Sequence, residues 1–192
     1  NILTFQGLMI MMLAHGLSSA ALFIMCGQVY ERLHTRDLRL MGGIRGQFPY
    51  LAFFLMFFVA ALVGIPGLGN FIGEFLILMG SYAKFPLFTI LATISLVFAG
   101  LYGLILIHKA LFGVPNEEQR EHYASLKDLN AREVIVLLIC AVGLLWLGLY
   151  PQSFLDISNS SMAWLANSYI PVQEVVEVAQ EASVQLENVE IQ

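Results

Sequence analysis

Residues 49–82 form a 34-residue stretch in which Glu74 is the only charged side chain. As one straight helix it would measure about 51 Å at about 1.5 Å per residue, far more than the roughly 30 Å hydrocarbon core of a bilayer. Two full spans would need about 20 residues each plus a turn, and the stretch is too short for that. It also carries the run Gly64-Ile65-Pro66-Gly67-Leu68-Gly69-Asn70-Phe71-Ile72-Gly73-Glu74. Pro66 removes a backbone donor, and Gly64, Gly67 and Gly69 admit torsions that a helix excludes. The pattern predicts one crossing built from two half-helices, at 50–64 and 71–82, with a break at 65–70. Non-helical backbone survives at membrane depth only where protein or a wet cavity satisfies its polar groups. A lone carboxylate beside such a break is costly, which marks it as a candidate functional site.

Composition agrees with a membrane class. The chain is 58% hydrophobic and 12% charged, against about 25% charge in soluble domains. The predicted fold is an all-α, polytopic transmembrane helix bundle with one discontinuous helix. The net charge of −5 is uneven: basic residues concentrate in two loops, and residues 172–192 hold five Glu and no Lys or Arg. No basic patch of the kind that binds nucleic acid is present. Cys26 and Cys140 each stand alone in an apolar run, a pattern that gives no disulfide framework and no metal spacing; both read as small buried hydrophobes. The sequence has no Gly-rich phosphate loop, no Cys cluster for iron–sulfur and no paired His spacing for haem or zinc. The reading therefore assigns no cofactor and no metal to this chain. It begins at Asn1 without an initiator Met, a basic n-region or a cleavage site, so it is expected to lack a signal peptide and to be the C-terminal piece of a longer protein.

Along the chain, a first span is predicted at 5–30. His15, Ser18, Ser19 and Leu22 have the spacing of one helix face, and a polar stripe of this kind faces other helices or a water-filled path. A basic, turn-rich loop follows at 31–47. A third span is predicted at 87–112 and a fourth at 133–150, separated by a second polar loop at 113–132. A short amphipathic helix at 153–169 would place Trp164 and Tyr169 at an interface. The domain reading is a transmembrane bundle of about four crossings plus a short interfacial helix over 1–170 and a solvated, disordered acidic tail over 171–192. A single broken crossing at 49–82 puts eight of the nine Lys and Arg on one side and Lys84 on the other. A hairpin would split them about evenly, so positive-inside bias favours the single crossing and a cytoplasmic position for both basic loops.

Two roles are open for Glu74: a structural ion pair with a helix outside this chain, or a proton-exchange site. Burial disfavours the charged form of a carboxyl, and a group tuned in that way loads and releases protons as neighbouring charges change. His15 is either a satisfied core residue or a relay, a role that an imidazole suits near neutral pH. Lys109 is explained by snorkelling to the interface, and His108 either shares that end or joins a proton input path. Tyr102, Thr93 and Ser95 are expected to hydrogen-bond inside the bundle. Arg36 and Asp37 are expected to fix their loop by a local ion pair or by lipid contact, with His34 at the surface.

Several motifs carry a family resemblance. Ala14-His15-Gly16-Leu17-Ser18, Leu33-His34-Thr35-Arg36-Asp37, Met41-Gly42-Gly43, the run from Gly64 to Phe75, Leu106-Ile107-His108-Lys109-Ala110-Leu111-Phe112-Gly113 and Leu149-Tyr150-Pro151 together resemble the C-terminal part of the antiporter-like membrane subunits of respiratory complex I, the proton-pumping NADH:quinone oxidoreductase. The resemblance covers residues 6–164, less than half of the usual length of such subunits. Gly73-Glu74 matches the branch called subunit M in bacteria, where related subunits place Lys after that glycine. The resemblance implies a proton half-channel with a discontinuous helix. It carries His15 to the family's mid-membrane relay histidine and Glu74 to its terminal protonatable carboxylate. Ser18, Tyr102, His108 and Lys109 would line the path, and Gly64, Pro66, Gly67, Gly69, Asn70 and Gly73 would build the break. It further implies NADH, FMN, iron–sulfur clusters and quinone in other subunits, neighbouring antiporter-like subunits and lipid as partners, and a bacterial inner membrane or its mitochondrial equivalent. An Mrp-type cation/proton antiporter subunit, a membrane-hydrogenase subunit and a non-pumping scaffold are the alternatives.

Overall fold

A computed structural model describes residues 2–39, 41–114, 121 and 123–168. The acidic tail, Tyr169 and Arg120 lie outside these residues. The first helix, α1 (Ile2–Leu33), is unbroken. At about 1.5 Å per residue it is longer than a hydrocarbon core is thick. Arg32 sits in its last turn, where a cation is favoured by the helix dipole. Just beyond, His34 takes the left-handed conformation at φ 50°, and its N–H closes on Tyr30 O at 2.8 Å. One turn of helix, α2 (Ile44–Gln47), leads into α3 (Pro49–Leu62). Pro49 opens α3 in its first turn, where a missing N–H leaves no intrahelical bond unmade. The second half-helix is α4 (Gly69–Tyr82), followed by α5 (Pro86–Phe112), α6 (Ala131–Leu149) and α7 (Gln152–Ser168).

Close approaches fix how these helices run. Gly80 lies against Thr4, Gly73 against Met11, and Gly69 against Ala14, so α4 is antiparallel to the first half of α1. A Cβ added to Gly73 would stand 2.7 Å from that of Met11; small residues at such seams let membrane helices approach closely. The start of α3 lies at the other end of α1, because Asp128 holds α3 while Arg32 binds the carbonyls of Lys127 and Asp128. Residues 49–82 therefore pass along α1 once, from its C-terminal end to its N-terminal end. Helix α5 returns, with Gly103 on Val63 and Gly113 on Gly42. Helix α6 descends from Arg32 to the backbone of Gly67 and Leu68, which Gly148 touches. Helix α7 comes back to the start of α1 through Gln6 Nε2 donating to Asn159 Oδ1 at 3.3 Å.

The core lies between α1, α3 and α6, with Ala14, Ser18, Met25, Phe58, Leu137 and Leu144 all closed to solvent. Among the described residues, α1, α5 and α6 are long and apolar enough to cross a membrane, and α3 is a shorter apolar helix. The α3–α4 pair runs alongside them. Helix α5 leaves most of its outer flank uncovered, Val97 and Phe98 included. Lipid tails are as apolar as those side chains, so that flank carries no penalty in a bilayer.

Four expectations need correction. The break falls at 63–68 rather than 65–70, with Gly69 and Asn70 inside the first turn of α4; backbone bonds from Val63 and Gly64 cap α3 before the proline is reached. Cys26 is exposed and Cys140 only half-buried, because apolar runs do not reveal which flank of a membrane helix meets protein. Asp37 pairs with Arg39 at 3.3 Å instead of Arg36, since its carboxylate already accepts the Arg39 backbone N–H at 2.9 Å. Those two bonds hold the Asp37 carboxyl below the usual carboxylate range, while the Arg36 guanidinium sits over the Tyr30 ring at 4.7 Å. Thr93 and Ser95 donate to Thr89 O and Ala92 O of their own helix rather than across the bundle.

Candidate functional site at the helix break

The end of α3 is built by glycine. Gly64 lies at φ 77°, and its N–H reaches Ala61 O at 3.1 Å while that of Ile65 reaches Ala60 O at 3.1 Å. This paired closure is a Schellman motif, which needs a left-handed residue just past the helix. Pro66 then prevents the helix from resuming. Gly67 turns the chain at φ 97°, and Leu68, in extended backbone, precedes α4.

Asn70 locks the two halves together. Its side chain is fully buried, and Nδ2 donates to Ala61 O at 2.8 Å and to Ser18 Oγ at 3.1 Å. One amide thus ties α4 to the last turn of α3 and to the middle of α1. Ser18 Oγ spends its own proton on His15 O at 3.1 Å. The remaining Asn70 atom, Oδ1, is buried without a partner among the described residues.

Glu74 stands one turn further along α4 and is partly buried. Its carboxyl rests on Gly64, so closely that a Cβ there would collide with Oε2. No cation pairs with it among the described residues: the ion pairs present join Arg32 to Glu133 and Arg39 to Asp37. The acid therefore lies at the unwound end of α3 with no fixed counter-charge from this part of the fold.

The other predicted residues divide. Ser18, Asn70, Gly64 and Glu74 come together at the break, with Gly69 and Gly73 in the α1–α4 seam. Pro66 is exposed at the turn. His15 is exposed on α1 and its Nε2 meets Ser19 Oγ at 3.2 Å; the ring itself is not bonded to Ser18, Asn70 or Glu74. His108 and Lys109 are exposed near the end of α5, away from the break. Tyr102 lines a separate apolar cavity of about 360 Å³ between α1, α3 and α5, which also receives Cys26 and Arg36.

Sequence reasoning missed a polar clamp at the far end of α3. The Arg32 guanidinium is nearly closed to solvent and binds Glu133 Oε2 and Gln28 Oε1, each at 2.7 Å, besides three backbone carbonyls. Asp128 accepts the Tyr50 N–H at 2.8 Å and the Leu51 N–H at 3.2 Å, satisfying donors that every helix start leaves open. Only the Asn130-x-x-Glu133 spacing signalled part of this, and the capping box is indeed formed.

Comparison with known proteins adds a family to this geometry. The model of a family described as NADH:quinone oxidoreductase/Mrp antiporter, transmembrane, matches residues 1–102. NADH-quinone oxidoreductase subunit M of Pseudomonas aeruginosa is 52% identical over 157 residues, 82% of this chain and 30% of that protein. The subunit M of Escherichia coli is 45% identical over 170 residues, 86% of this chain and 33% of that protein. NADH-ubiquinone oxidoreductase chain 4 of Marchantia polymorpha is 36% identical over 85% of this chain and 32% of that protein. Among solved structures, a chain of respiratory complex I from Thermus thermophilus with bound NADH superposes with a TM-score of 0.71 at 30% identity, over 78% of this chain and 31% of that one. The chain thus spans about a third of the length of the curated relatives it matches.

Proposed function

This chain belongs to the NADH:quinone oxidoreductase/Mrp antiporter transmembrane family, and from that premise we propose that it forms a proton-translocating element in the membrane arm of an NADH:quinone oxidoreductase. The observation that carries the reading is the Glu74 carboxyl on Gly64, at a backbone break, with no cation paired to it among the described residues. Discontinuous helices of this kind build ion sites near mid-membrane. Electron transfer from NADH through FMN and iron–sulfur clusters to quinone belongs to other subunits. The present chain contributes proton binding and release at Glu74, with His15 as the relay on α1 and water reaching the acid through the unwound residues 63–68. Charge moving along buried ionisable groups changes how readily Glu74 holds its proton. Neighbouring antiporter-like subunits and lipid cover the apolar flank of α5, and the protein resides in a bacterial inner membrane or its mitochondrial equivalent.

The test is made in the assembled complex. Glu74→Gln lowers the number of protons moved per NADH oxidised, and Glu74→Asp lowers it less. An unchanged ratio in the Gln variant refutes the proposal. The family model also covers Mrp antiporters; sodium-dependent flux in membranes without electron transfer would favour that reading.

A further inference from the structure

The orientation of the Asn70 amide is fixed by its neighbours. Ala61 O only accepts, and Ser18 Oγ has given its proton to His15 O, so both contacts demand the NH₂ side of the amide. A flip would set two carbonyl oxygens 2.8 Å apart. Oδ1 is therefore left over by necessity. It is an acceptor closed to solvent and unpartnered among the described residues, which is rare and unfavourable in folded proteins.

A donor for it can come from the same face of α4. Residues three and four positions away on a helix are neighbours, with Cβ atoms about 5–6 Å apart. Within α4, which begins at Gly69, these positions are Gly73 and Glu74, and of the two Glu74 has a side chain that can carry a proton. Both side chains already turn toward the end of α3, one onto Ala61 O and the other onto Gly64. An ionised carboxylate has nothing to offer an acceptor, whereas a protonated one supplies the missing O–H.

We propose that Asn70 Oδ1 is the acceptor reserved for the protonated form of Glu74, which makes Asn70 a positioning residue of the proton-exchange site. When Glu74 takes a proton, its O–H swings from Gly64 to Asn70 Oδ1; when the proton leaves, the carboxylate returns. The amide that ties α1, α3 and α4 together thereby registers the protonation state of the acid. The inference rests on the assignment of proton exchange to Glu74.

Infrared difference spectra of the assembled complex, recorded across its redox cycle, separate the two ideas. The carbonyl band of the protonated acid is assigned by its loss in Glu74→Gln. In Asn70→Ala the band moves to higher wavenumber, because the carboxyl loses its acceptor. In Ser18→Ala the band stays in place, since Ala61 O still holds the amide. A band lost in Glu74→Gln but unmoved in Asn70→Ala overturns this inference and leaves the proposed function standing. Equal movement in the Ala variants of Asn70 and Ser18 overturns it as a packing effect. No band lost in Glu74→Gln overturns both. Should Asn70→Ala fail to assemble, a high-resolution map of the unaltered complex decides. Oδ1 within hydrogen-bond distance of the Glu74 carboxyl supports the inference, and Oδ1 accepting from any other group overturns it.

Discussion

At the scale of single residues the break is a matter of one missing methyl group. Gly64 combines a left-handed backbone with direct contact to the Glu74 carboxyl. Gly67 shares the backbone requirement, but a Cβ there meets nothing within 4 Å. The pair separates strain from displacement. A left-handed L residue costs about 1–2 kcal/mol, so both Ala variants should lower the thermal midpoint of the assembled complex by a similar amount. Only Gly64→Ala should also push the carboxyl off its seat, and only that variant should lose protons moved per NADH. Equal loss of pumping in the two variants would show that strain alone matters and that the contact does not. Gly73→Ala is the packing counterpart. Its Cβ would stand 2.7 Å from Met11 Cβ, where overpacking costs about 1–3 kcal/mol. It should therefore reduce the amount of assembled complex without altering the proton ratio of what assembles.

At the scale of elements, α3 is held at both ends by polar groups that a membrane helix could not otherwise satisfy. The Schellman closure and Asn70 hold its lower end, and Asp128 with the Arg32–Glu133 pair holds its upper end. Removing Asp128 deprives α3 of acceptors for its first N–H groups, a loss of about 0.5–2 kcal/mol by analogy with helix caps. Removing Glu133 strands a nearly buried guanidinium, for which breaking a buried pair costs about 3–5 kcal/mol. Thermal unfolding of the purified complex should therefore rank Glu133→Ala as more damaging than Asp128→Ala, and the reverse order would mean that the ion pair is idle. These elements also mark how far the sequence could be read. The break was legible because Pro66 and the glycines act locally, and Glu74 was legible because it is alone. The Arg32–Glu133 pair was not, since its partners are 101 residues apart and no periodicity connects them. The outward side of Cys26 was hidden because it depends on which flank of a helix the rest of the bundle covers, and the exchange of Arg36 for Arg39 at Asp37 because it depends on the turn of the loop that brings the Arg39 backbone N–H onto the carboxylate. The sequence marks Asn70 as a residue of the break, but its role as the tie between three helices depends on Ser18 and Ala61 O lying beside it.

At the scale of the whole molecule the arrangement depends on residues 49–82 crossing once. The contacts of α3 with the C-terminal end of α1 and of α4 with its N-terminal end place Tyr50 and Tyr82 at opposite ends of the bundle. Charge follows the same division. Arg45 lies over the Phe112 ring at 5.2 Å, so it shares an end with Lys109, and Arg32 brings Lys127 and Arg132 to that end through Lys127 O and Glu133. Lys84 follows directly on α4 and lies at the other end. Basic residues gather on the cytoplasmic side of membrane proteins, which predicts the Arg32 end inward and the Tyr82 end outward. The prediction is a sidedness. With Cys26 and Cys140 replaced by Ser, a single cysteine at Arg45 should react with a membrane-impermeant thiol reagent only in inside-out vesicles, and one at Lys84 only in right-side-out cells. Ser125, exposed in the second basic loop, should behave as Arg45 does. Labelling of the Arg45 and Lys84 positions from the same side would turn the segment into a hairpin. That result would separate Asn70 from Ala61 O, bring Glu74 out of the break, and remove the geometric basis for proton exchange there.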